Sequence, residues 1–251
     1  DLKNIKSISF SGHMHGATCL DKNYDVIRKC ILWNDTRSHN ECNDIMNDKN
    51  VLNISGNIAM PGFTSPKILW LKNNELKNFK SIHKCLLPKD YLRFYITGEF
   101  FSDLSDASGT YWLDVKSRSW SKKLLQTTFM NLSQMPKTCE GTDQTGIVKK
   151  EIAEKYGFDL KCKVYGGGGD NAAAAVGLGL YEEGDASISL GTSGVIFAST
   201  KKFLKNYNDA IHSFCHCLPN TWHLMSVMLS CTSNINWFVE TFNSSIEEIS
   251  L

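Results

Sequence analysis

Four consecutive glycines, at positions 166–169, precede an acidic residue and an alanine-rich run in the segment VYGGGGDNAAAAVGLG. Glycine loses more conformational entropy on folding than any other residue, so such a run indicates a backbone path that other residues cannot follow. The alanines are strong helix formers, which places Asp170 where a turn becomes a helix. Its carboxylate could cap that helix or face a ligand. A simple cap does not require four glycines, so the pattern favours a ligand held close to the backbone.

The composition is that of a globular protein with nearly balanced charge. The chain has 251 residues, 42% of them hydrophobic, and its 27 Lys+Arg against 26 Asp+Glu give a formal net charge of +1. There is no basic block, which argues against a nucleic-acid or anionic-membrane partner. No apolar run approaches the roughly 18 residues of a membrane span, and the first residues lack the apolar core of a secretion signal. We therefore expect a cytoplasmic location.

The cysteines and histidines do not predict a disulfide framework or a metal site. The nine cysteines are odd in number and have no repeated spacing, which indicates reduced thiols. The CHC tripeptide at 215–217 has no second cluster at zinc-finger spacing, so core packing is the favoured interpretation. His13 and His15 would point to opposite sides of an extended chain, which disfavours a metal pair. No residue is assigned as a metal ligand.

Alternating strand and helix patterns, followed by a hairpin, predict an α/β domain joined to the beginning of a second one. Two helices are predicted to begin at proline, at Pro66 with Ser65 as its cap and at Pro88 with Gly98 beyond its end. A third helix is predicted to end before Gly157. Strands are predicted at 5–10, 25–33 and 160–165, a hairpin at 185–200 and a solvated loop at 200–209.

Two further motifs could bind ligands. In LGTSG, residues 190–194, small side chains leave backbone N–H groups and two hydroxyls free to surround an anion, although many hairpins have such turns for structural reasons alone. In SGHMHG, residues 11–16, we expect Met14 and His15 to line a pocket in which the imidazole can bond a hydroxyl. A half-buried structural histidine is the alternative for His15. The chain has no complete Walker motif, and GGGGD does not fit GxGxxG, which disfavours a dinucleotide-binding oxidoreductase.

Several long phrases, in this order, resemble the xylulokinases among the FGGY carbohydrate kinases: SISFSGHMHGATCLD, ILWNDTR, GNIAMPGFTSPKILWL, LLPKDYLRFYITGEFFSDLSDASGTYWLD, GGGDNAAAAVGLG, SLGTSG and HSFCHCLPNTWHLMSVMLS. The resemblance covers nearly the whole chain. It implies an α/β, actin-like (ribonuclease H-like) sugar kinase fold. Residues 1–183 would form most of the N-terminal sugar-binding domain without its first strands, and residues 184–251 the beginning of the C-terminal nucleotide-binding domain.

The resemblance also implies a reaction and a set of site residues. Enzymes of this kind transfer the γ-phosphate of ATP, with Mg²⁺, to the 5-hydroxyl of D-xylulose in a cleft between two domains. It implies that Asp170 is the general base, and it allows a homodimer. The residues implied to hold the sugar are Met14, His15, Asp170 and Asn171, and those implied to face the ATP phosphates are Gly191, Thr192, Ser193 and Gly194.

The chain departs from the family pattern at several points. His13 stands where the family usually has glutamine. Full-length members begin upstream with a phosphate loop whose acid helps to hold the metal, and most of their second domain should lie beyond Leu251. We therefore expect a central fragment that is inactive and poorly stable alone, because core surface would be exposed. Two alternatives stay open: a kinase for gluconate, ribulose or glycerol, and a non-catalytic sugar-binding remnant.

Overall fold

The computed structural model describes residues 1–205 and 211–249, so residues 206–209 of the predicted solvated loop lie outside the described part. Short strands and helices alternate along most of the chain, and a four-stranded antiparallel sheet follows. The strands are β1 (Ser7–Ile8), β2 (Thr18–Leu20), β3 (Lys84–Leu86), β4 (Phe101–Asp103), β5 (Leu113–Asp114), β6 (Ser119–Trp120), β7 (Lys137–Cys139), β8 (Gln144–Ile147), β9 (Lys163–Tyr165), β10 (Ala186–Leu190), β11 (Gly194–Thr200), β12 (His212–Cys215) and β13 (Trp222–Met228). The helices are α1 (His39–Met46), α2 (Lys49–Ser55), α3 (Thr64–Asn74), α4 (Leu76–Ser81), α5 (Pro88–Thr97), α6 (Leu104–Ser108), α7 (Lys122–Gln126), α8 (Lys150–Tyr156), α9 (Asp170–Gly177), α10 (Thr232–Phe242) and α11 (Ile246–Ile249).

A three-stranded sheet in the order β1-β9-β8 brings together two loops that are far apart in sequence. β1 runs parallel to β9, and β8 is antiparallel to β9. Because the carboxyl ends of parallel strands lie at the same edge of a sheet, the loop after β1 and the glycines after β9 emerge side by side. A parallel bridge between Ser11 and Gly168, and a 3.3 Å hydrogen bond from the Gly12 N–H to the Gly168 carbonyl, continue the pairing into the loops.

The second sheet has the order β10-β11-β13-β12, with every pair antiparallel. β10 and β11 form the predicted hairpin, which is confirmed. The β12 edge is joined to the rest of the chain: the Asn57 amide bonds the backbone of Ser213 at 2.8 and 2.9 Å. The Cys215 N–H donates to Ser108 Oγ at 3.0 Å. The division at residues 183 and 184 into two domains stays a prediction.

The main core surrounds α3. Thr64 to Leu69 are all buried, so this helix has no broad solvent-facing side. Ile68 and Leu71 of α3 share one apolar cluster with Trp112 and with Phe214 of β12. Burying a large apolar side chain stabilises a fold by about 1.5–3 kcal/mol, so this cluster attaches the second sheet to the first part of the chain.

Two predicted helix ends are confirmed by their backbone conformation. α5 begins at Pro88, and Gly98 follows it in the left-handed region at φ +81°. α8 ends before Gly157, which has the same φ of +81°. In both cases glycine adopts a conformation that is costly for residues with a Cβ, which is why it marks a helix end. α8 begins only at Lys150, because residues 144–147 form β8 and Lys149 is the N-cap.

Two other element predictions are wrong. Residues 25–33 form no strand and make only isolated bridges, Leu20 to Val26 and Ala17 to Ile31. The Asp21 carboxylate accepts the backbone N–H of Asp25 at 3.0 Å, so the chain turns locally instead of extending.

Ser65 is not the cap of α3, which begins at Thr64 after Phe63. The Ser65 N–H donates to the Thr110 carbonyl at 3.0 Å, so a tertiary contact replaces the side-chain cap.

All nine cysteines carry free thiols. In the CHC tripeptide, Cys215, His216 and Cys217 are all buried, as core packing requires. In residues 1–205 and 211–249, no helix combines the length and apolar character needed to cross a membrane.

Apolar side chains remain exposed on the second sheet, just after it and on α10. The exposed fraction is 70% for Leu190, 68% for Leu229 and 60% for Trp237.

Candidate active site

The glycine loop, residues 166–169, is required by packing within the protein. A Cβ at Gly166 would collide with the Glu140 carbonyl, and one at Gly167, where φ is +74°, with the Phe10 carbonyl. A Cβ at Gly168 would lie 2.8 Å from the Cys217 Cβ, and one at Gly169 would lie 2.8 Å from the Met14 sulfur. The interpretation that the glycines serve only the approach of a ligand is therefore incomplete, because protein atoms already surround the loop.

Asp170 is the first residue of α9, and Gly169 is its N-cap. The carboxylate is exposed, and its Oδ1 accepts the backbone N–H of Asn171 at 2.9 Å and the Asn171 side-chain amide at 3.2 Å. Its Oδ2 has no hydrogen-bond partner among the described residues. Negative charge is stabilised at a helix N-terminus, where backbone N–H groups are free. Asp170 is thus not a simple cap, and one carboxylate oxygen remains available.

Met14 packs against Gly169, the residue directly before Asp170. Met14 is 7% exposed, and its side chain supplies the atoms nearest to the position that a Cβ at Gly169 would take. Met14 also lies against Gly109, where an added Cβ would be 3.1 Å from the Met14 methyl group. The chain therefore brings the predicted MHG motif and Asp170 together, although their sequence positions are distant.

His15 is held by an unusual backbone conformation and by its ring contacts. Its φ is +71°, and its ring stacks on Phe63 with centroids 4.9 Å apart. Its Nδ1 lies 2.8 Å from the Gly109 carbonyl oxygen. A carbonyl only accepts, so Nδ1 must donate, which leaves Nε2 of the neutral ring as an acceptor. Burial lowers the pKa of His15 to about 3, so the ring is neutral at physiological pH.

A buried lysine that the sequence analysis missed holds the His15 backbone. Lys67 is 0% exposed, and its Nζ donates to the His15 carbonyl at 2.9 Å and to the Gly62 carbonyl at 2.6 Å. Thr64 Oγ1 donates to the same His15 carbonyl at 3.1 Å. Burial lowers the pKa of Lys67 to about 8. A lone lysine in an apolar helix was the only sequence signal for this contact.

The turn at residues 191–194 is bonded to itself and to the start of α10. The Gly191 N–H donates to the Ser193 carbonyl at 2.9 Å, so it is not free as the anion-nest prediction assumed. The Gly191 and Thr192 carbonyls accept the backbone N–H groups of Thr232 and Cys231 at 3.0 and 2.7 Å, next to the start of α10. Within the described residues, the side chains and N–H groups of Thr192 and Ser193 have no hydrogen-bond partner. These two residues keep the donors that an anion would need.

Comparison with known proteins identifies the family. The sequence profile of the N-terminal domain of the FGGY family of carbohydrate kinases matches residues 1–177. This chain belongs to the FGGY family of carbohydrate kinases. It is 49% identical over 238 residues to a xylulose kinase of Klebsiella pneumoniae, covering 94% of this chain and 49% of that protein. It is 41% identical to a xylulose kinase of Lactococcus lactis subsp. lactis, covering 97% of this chain and 49% of that protein.

A solved structure confirms the fold class of this FGGY-family chain. A crystal structure described as a xyloylose kinase from Brucella ovis superposes with a TM-score of 0.94 at 46% identity, covering 98% of this chain and 51% of that one. The predicted α/β, actin-like sugar kinase fold is thus confirmed. The chain spans about half the length of the relatives that it matches.

The FGGY-family chain also contains a buried group of charges that the sequence analysis missed. This ion cluster consists of Lys89, Asp90, Arg93, Asp103 and Asp106, all at most 2% exposed. Lys89 Nζ pairs with Asp90 at 3.0 Å, with Asp106 at 3.2 Å and with Asp103. Burial raises the pKa of Asp106 to about 8, with its acidic neighbours adding to the shift and Lys89 opposing it. The KDYLR and SDLSD phrases contain these residues, but nothing in their spacing predicted that they would meet.

Within the described residues, the three acids of the ion cluster are the only group of three or more His, Cys, Asp or Glu side chains close enough together to hold a metal ion. Lys89 Nζ already contacts all three of them. An ammonium group there takes the place that a cation would occupy, so these carboxylates do not fit Mg²⁺.

Proposed function

We propose that this chain is part of a xylulose kinase, in which it binds D-xylulose and Asp170 acts as the general base for transfer of the ATP γ-phosphoryl group to the 5-hydroxyl. The proposal rests chiefly on one observation: the exposed Asp170 directly follows Gly169, against which Met14 packs, in a chain 49% identical to xylulose kinases. Because the chain spans half of those relatives, the activity of the intact protein is part of the proposal.

The sugar would be oriented by acceptors on one side and an apolar wall on the other. A sugar hydroxyl would donate to His15 Nε2, whose role as acceptor follows from the bond of Nδ1 to Gly109. The Asn171 side chain, which contacts Asp170 at 3.2 Å, would fix the carboxylate and bond a second hydroxyl. Met14 would pack against the carbon skeleton.

The reaction would transfer one proton and one phosphoryl group. As the 5-hydroxyl oxygen attacks the γ-phosphorus, its proton passes to the Asp170 carboxylate, and the bond from the γ-phosphorus to the β,γ-bridging oxygen breaks. ADP leaves with the electron pair of that bond. The protein therefore has to supply mainly position and one proton acceptor, which an exposed carboxylate at the start of a helix can provide.

ATP would meet the chain at the turn before β11. The N–H groups and hydroxyls of Thr192 and Ser193 would donate to phosphate oxygens, with Gly191 and Gly194 allowing close approach. ATP supplies the transferred group, and Mg²⁺ is expected to accompany it. No described residue is assigned to the ion, and no step is derived through it. The cytoplasmic location and the homodimer also stay predictions.

The experiment that tests this function is Asp170→Asn in the intact gene product. Loss of the proton acceptor should lower kcat with D-xylulose and ATP by about 10²- to 10⁴-fold, the usual contribution of a general base. Sugar binding measured by calorimetry should change little, because asparagine keeps the shape of the side chain. Asp48→Asn is the matched control, since Asp48 is another exposed acid at a helix start, bonded to the Asn50 N–H at 2.9 Å. Near-normal turnover in Asp170→Asn would refute the proposal.

A further inference from the structure

The ion cluster reaches the glycine loop at both of its ends. Arg93 donates from one guanidinium nitrogen to the Gly166 carbonyl. At the other end, the Gly169 N–H donates to Ser105 Oγ at 2.9 Å. Arg93 is 0% exposed and Ser105 is 1% exposed, so water does not compete for either bond. The first and last residues of the loop are therefore each tied to buried polar side chains.

The charge of the cluster fixes the direction of the bond at Ser105. Ser105 Oγ lies 2.5 Å from Asp103 Oδ1, and an ionised carboxylate only accepts, so the hydroxyl hydrogen points at Asp103. An oxygen lone pair of Ser105 is then left for the Gly169 N–H. Burial opposes ionisation of Asp103, but Lys89 and Ser105 outweigh it and lower its pKa. The ion pair with Lys89 thus keeps Ser105 oriented as an acceptor for the loop.

Gly169 is also the residue through which the loop determines the position of Asp170. It is the N-cap of α9 and directly precedes the acid. Its other neighbours leave it little freedom, since Met14 lies against its Cα and Cys217 lies against Gly168. A shift of the Gly169 N–H would therefore displace the start of α9 and the carboxylate with it.

We propose that Ser105 and Arg93, oriented by the buried ion cluster, are positioning residues that hold the glycine loop and so place the Asp170 carboxylate for proton transfer. The inference rests on the proposed role of Asp170. Neither residue touches the sugar or ATP in this scheme, and each acts through the loop backbone.

A role of Ser105 in stability alone can be distinguished from the positioning role, because α6 contains a second serine with similar hydrogen bonds. Ser108 is 2% exposed, donates to the Leu104 carbonyl at 2.8 Å and accepts the Cys215 N–H at 3.0 Å. Each serine thus gives one buried hydrogen bond to a backbone N–H from another element. Only the bond of Ser105 ends on the glycine loop.

The test compares Ser105→Ala with Ser108→Ala in the intact gene product. Ser105→Ala should lower kcat by about 10- to 100-fold, the range expected when a reacting group is displaced by up to an ångström, while KM for the sugar stays within about 3-fold. Ser108→Ala should keep kcat within about 3-fold. The Gly169 amide should exchange its hydrogen faster in Ser105→Ala and not in Ser108→Ala.

Two further variants keep the test decisive. Ser105→Thr retains the hydroxyl and should restore kcat to within about 3-fold of the original. If Ser105→Ala does not fold, Ser105→Cys carries the same expectation of reduced kcat, because a thiol is a weaker hydrogen-bonding group. If kcat is equal in Ser105→Ala and Ser108→Ala while turnover is lost in Asp170→Asn, the positioning role is refuted and the proposed function stands. Turnover retained in Asp170→Asn would instead refute the proposed function.

Discussion

At the residue scale, His15 shows how a backbone position can determine the chemistry of a side chain. Its left-handed φ of +71° turns the ring toward the Gly109 carbonyl, and Lys67 and Thr64 hold the carbonyl of His15 itself. The ring is half-buried and neutral, so its two nitrogens have opposite roles, one a donor to the protein and the other an acceptor. The unmatched acceptor is what makes His15 suited to a hydroxyl ligand.

Thr192 offers a prediction at the same scale. Thr192→Val keeps the shape of the side chain but removes one hydroxyl, and a neutral hydrogen bond contributes about 1 kcal/mol. We expect KM for ATP to rise by about 5-fold in steady-state kinetics, with sugar affinity unchanged. Thr241→Val is the matched control, because Thr241 is exposed on α10. A change confined to sugar affinity would contradict the assignment of this turn to ATP.

At the element scale, α9 and the loop before it place opposite demands on glycine. Gly167 has a φ of +74° and no space for a Cβ beside the Phe10 carbonyl. Gly177, the last residue of α9, has no atom within 4 Å of the position that a Cβ would take, and its φ lies outside the left-handed range. The same residue type is therefore required at the start of this segment and replaceable at its end.

These two glycines give a paired prediction. Gly177→Ala should raise the free energy of unfolding by about 0.4–1 kcal/mol, because alanine loses less backbone entropy on folding. Gly167→Ala should lower it by more than about 1 kcal/mol, because the new Cβ meets backbone that cannot move aside. Urea unfolding midpoints of the two variants, measured with the parent protein, test both signs. Similar midpoints for the two variants would show that the loop is not packed as described.

At the scale of the whole molecule, histidines kept neutral by burial lie in both parts of the chain. His15 lies in the first part of the chain. In the second sheet, His216 directly follows β12, and His223 lies within β13. His223 stacks on Phe197 with ring centroids 4.5 Å apart. Burial lowers the pKa of His15 and His223 to about 3 and that of His216 to about 4. All three rings are therefore neutral in the folded protein at pH 7, and protonating them costs stability.

The pH dependence of stability follows from these shifts. Unfolded histidine has a pKa of 6.5, so between that value and about 4 the unfolded chain binds more protons than the folded one. The contribution of these histidines to the free energy of unfolding should be fully present above pH 6.5. As the pH falls below 6.5, the free energy of unfolding should decrease by about 1.4 kcal/mol per pH unit for each of the three histidines. Urea unfolding at pH 7.0, 6.0 and 5.0 measures this slope.

A substitution isolates one contribution to that slope. His223→Phe keeps an aromatic ring against Phe197 and removes the group that must gain a proton, so the loss of stability in acid should be shallower. The control is His39→Phe, at an exposed position at the start of α1. An unchanged slope in His223→Phe would mean that this histidine is not buried as the structure has it.

Much of the site and of the element pattern could be predicted from the sequence because the relevant interactions are local. The helix from Pro88 to Gly98, the hairpin around residues 191–193 and the junction of glycine turn and helix at Asp170 each follow from backbone preferences of a few neighbouring residues. The motif phrases indicated the family for the same reason, since each is a contiguous stretch. The incorrect prediction of a strand at residues 25–33 shows the limit of such local reasoning. There the Asp21 side chain, which lies outside the segment, bonds the Asp25 N–H and turns the chain.

Contacts between distant segments were decided only by the tertiary structure. No pattern in the sequence predicts that Lys67 reaches the His15 carbonyl, that Lys89 lies among three aspartates, or that Ser105 accepts the Gly169 N–H. These are buried polar contacts, whose partners are fixed by the folded path of the chain and by the cost of leaving any of them unpaired. The sequence by itself determined which residues could carry the chemistry, whereas pairing of the parallel strands β1 and β9 determined that the loops carrying Met14, His15 and Asp170 emerge side by side at one edge.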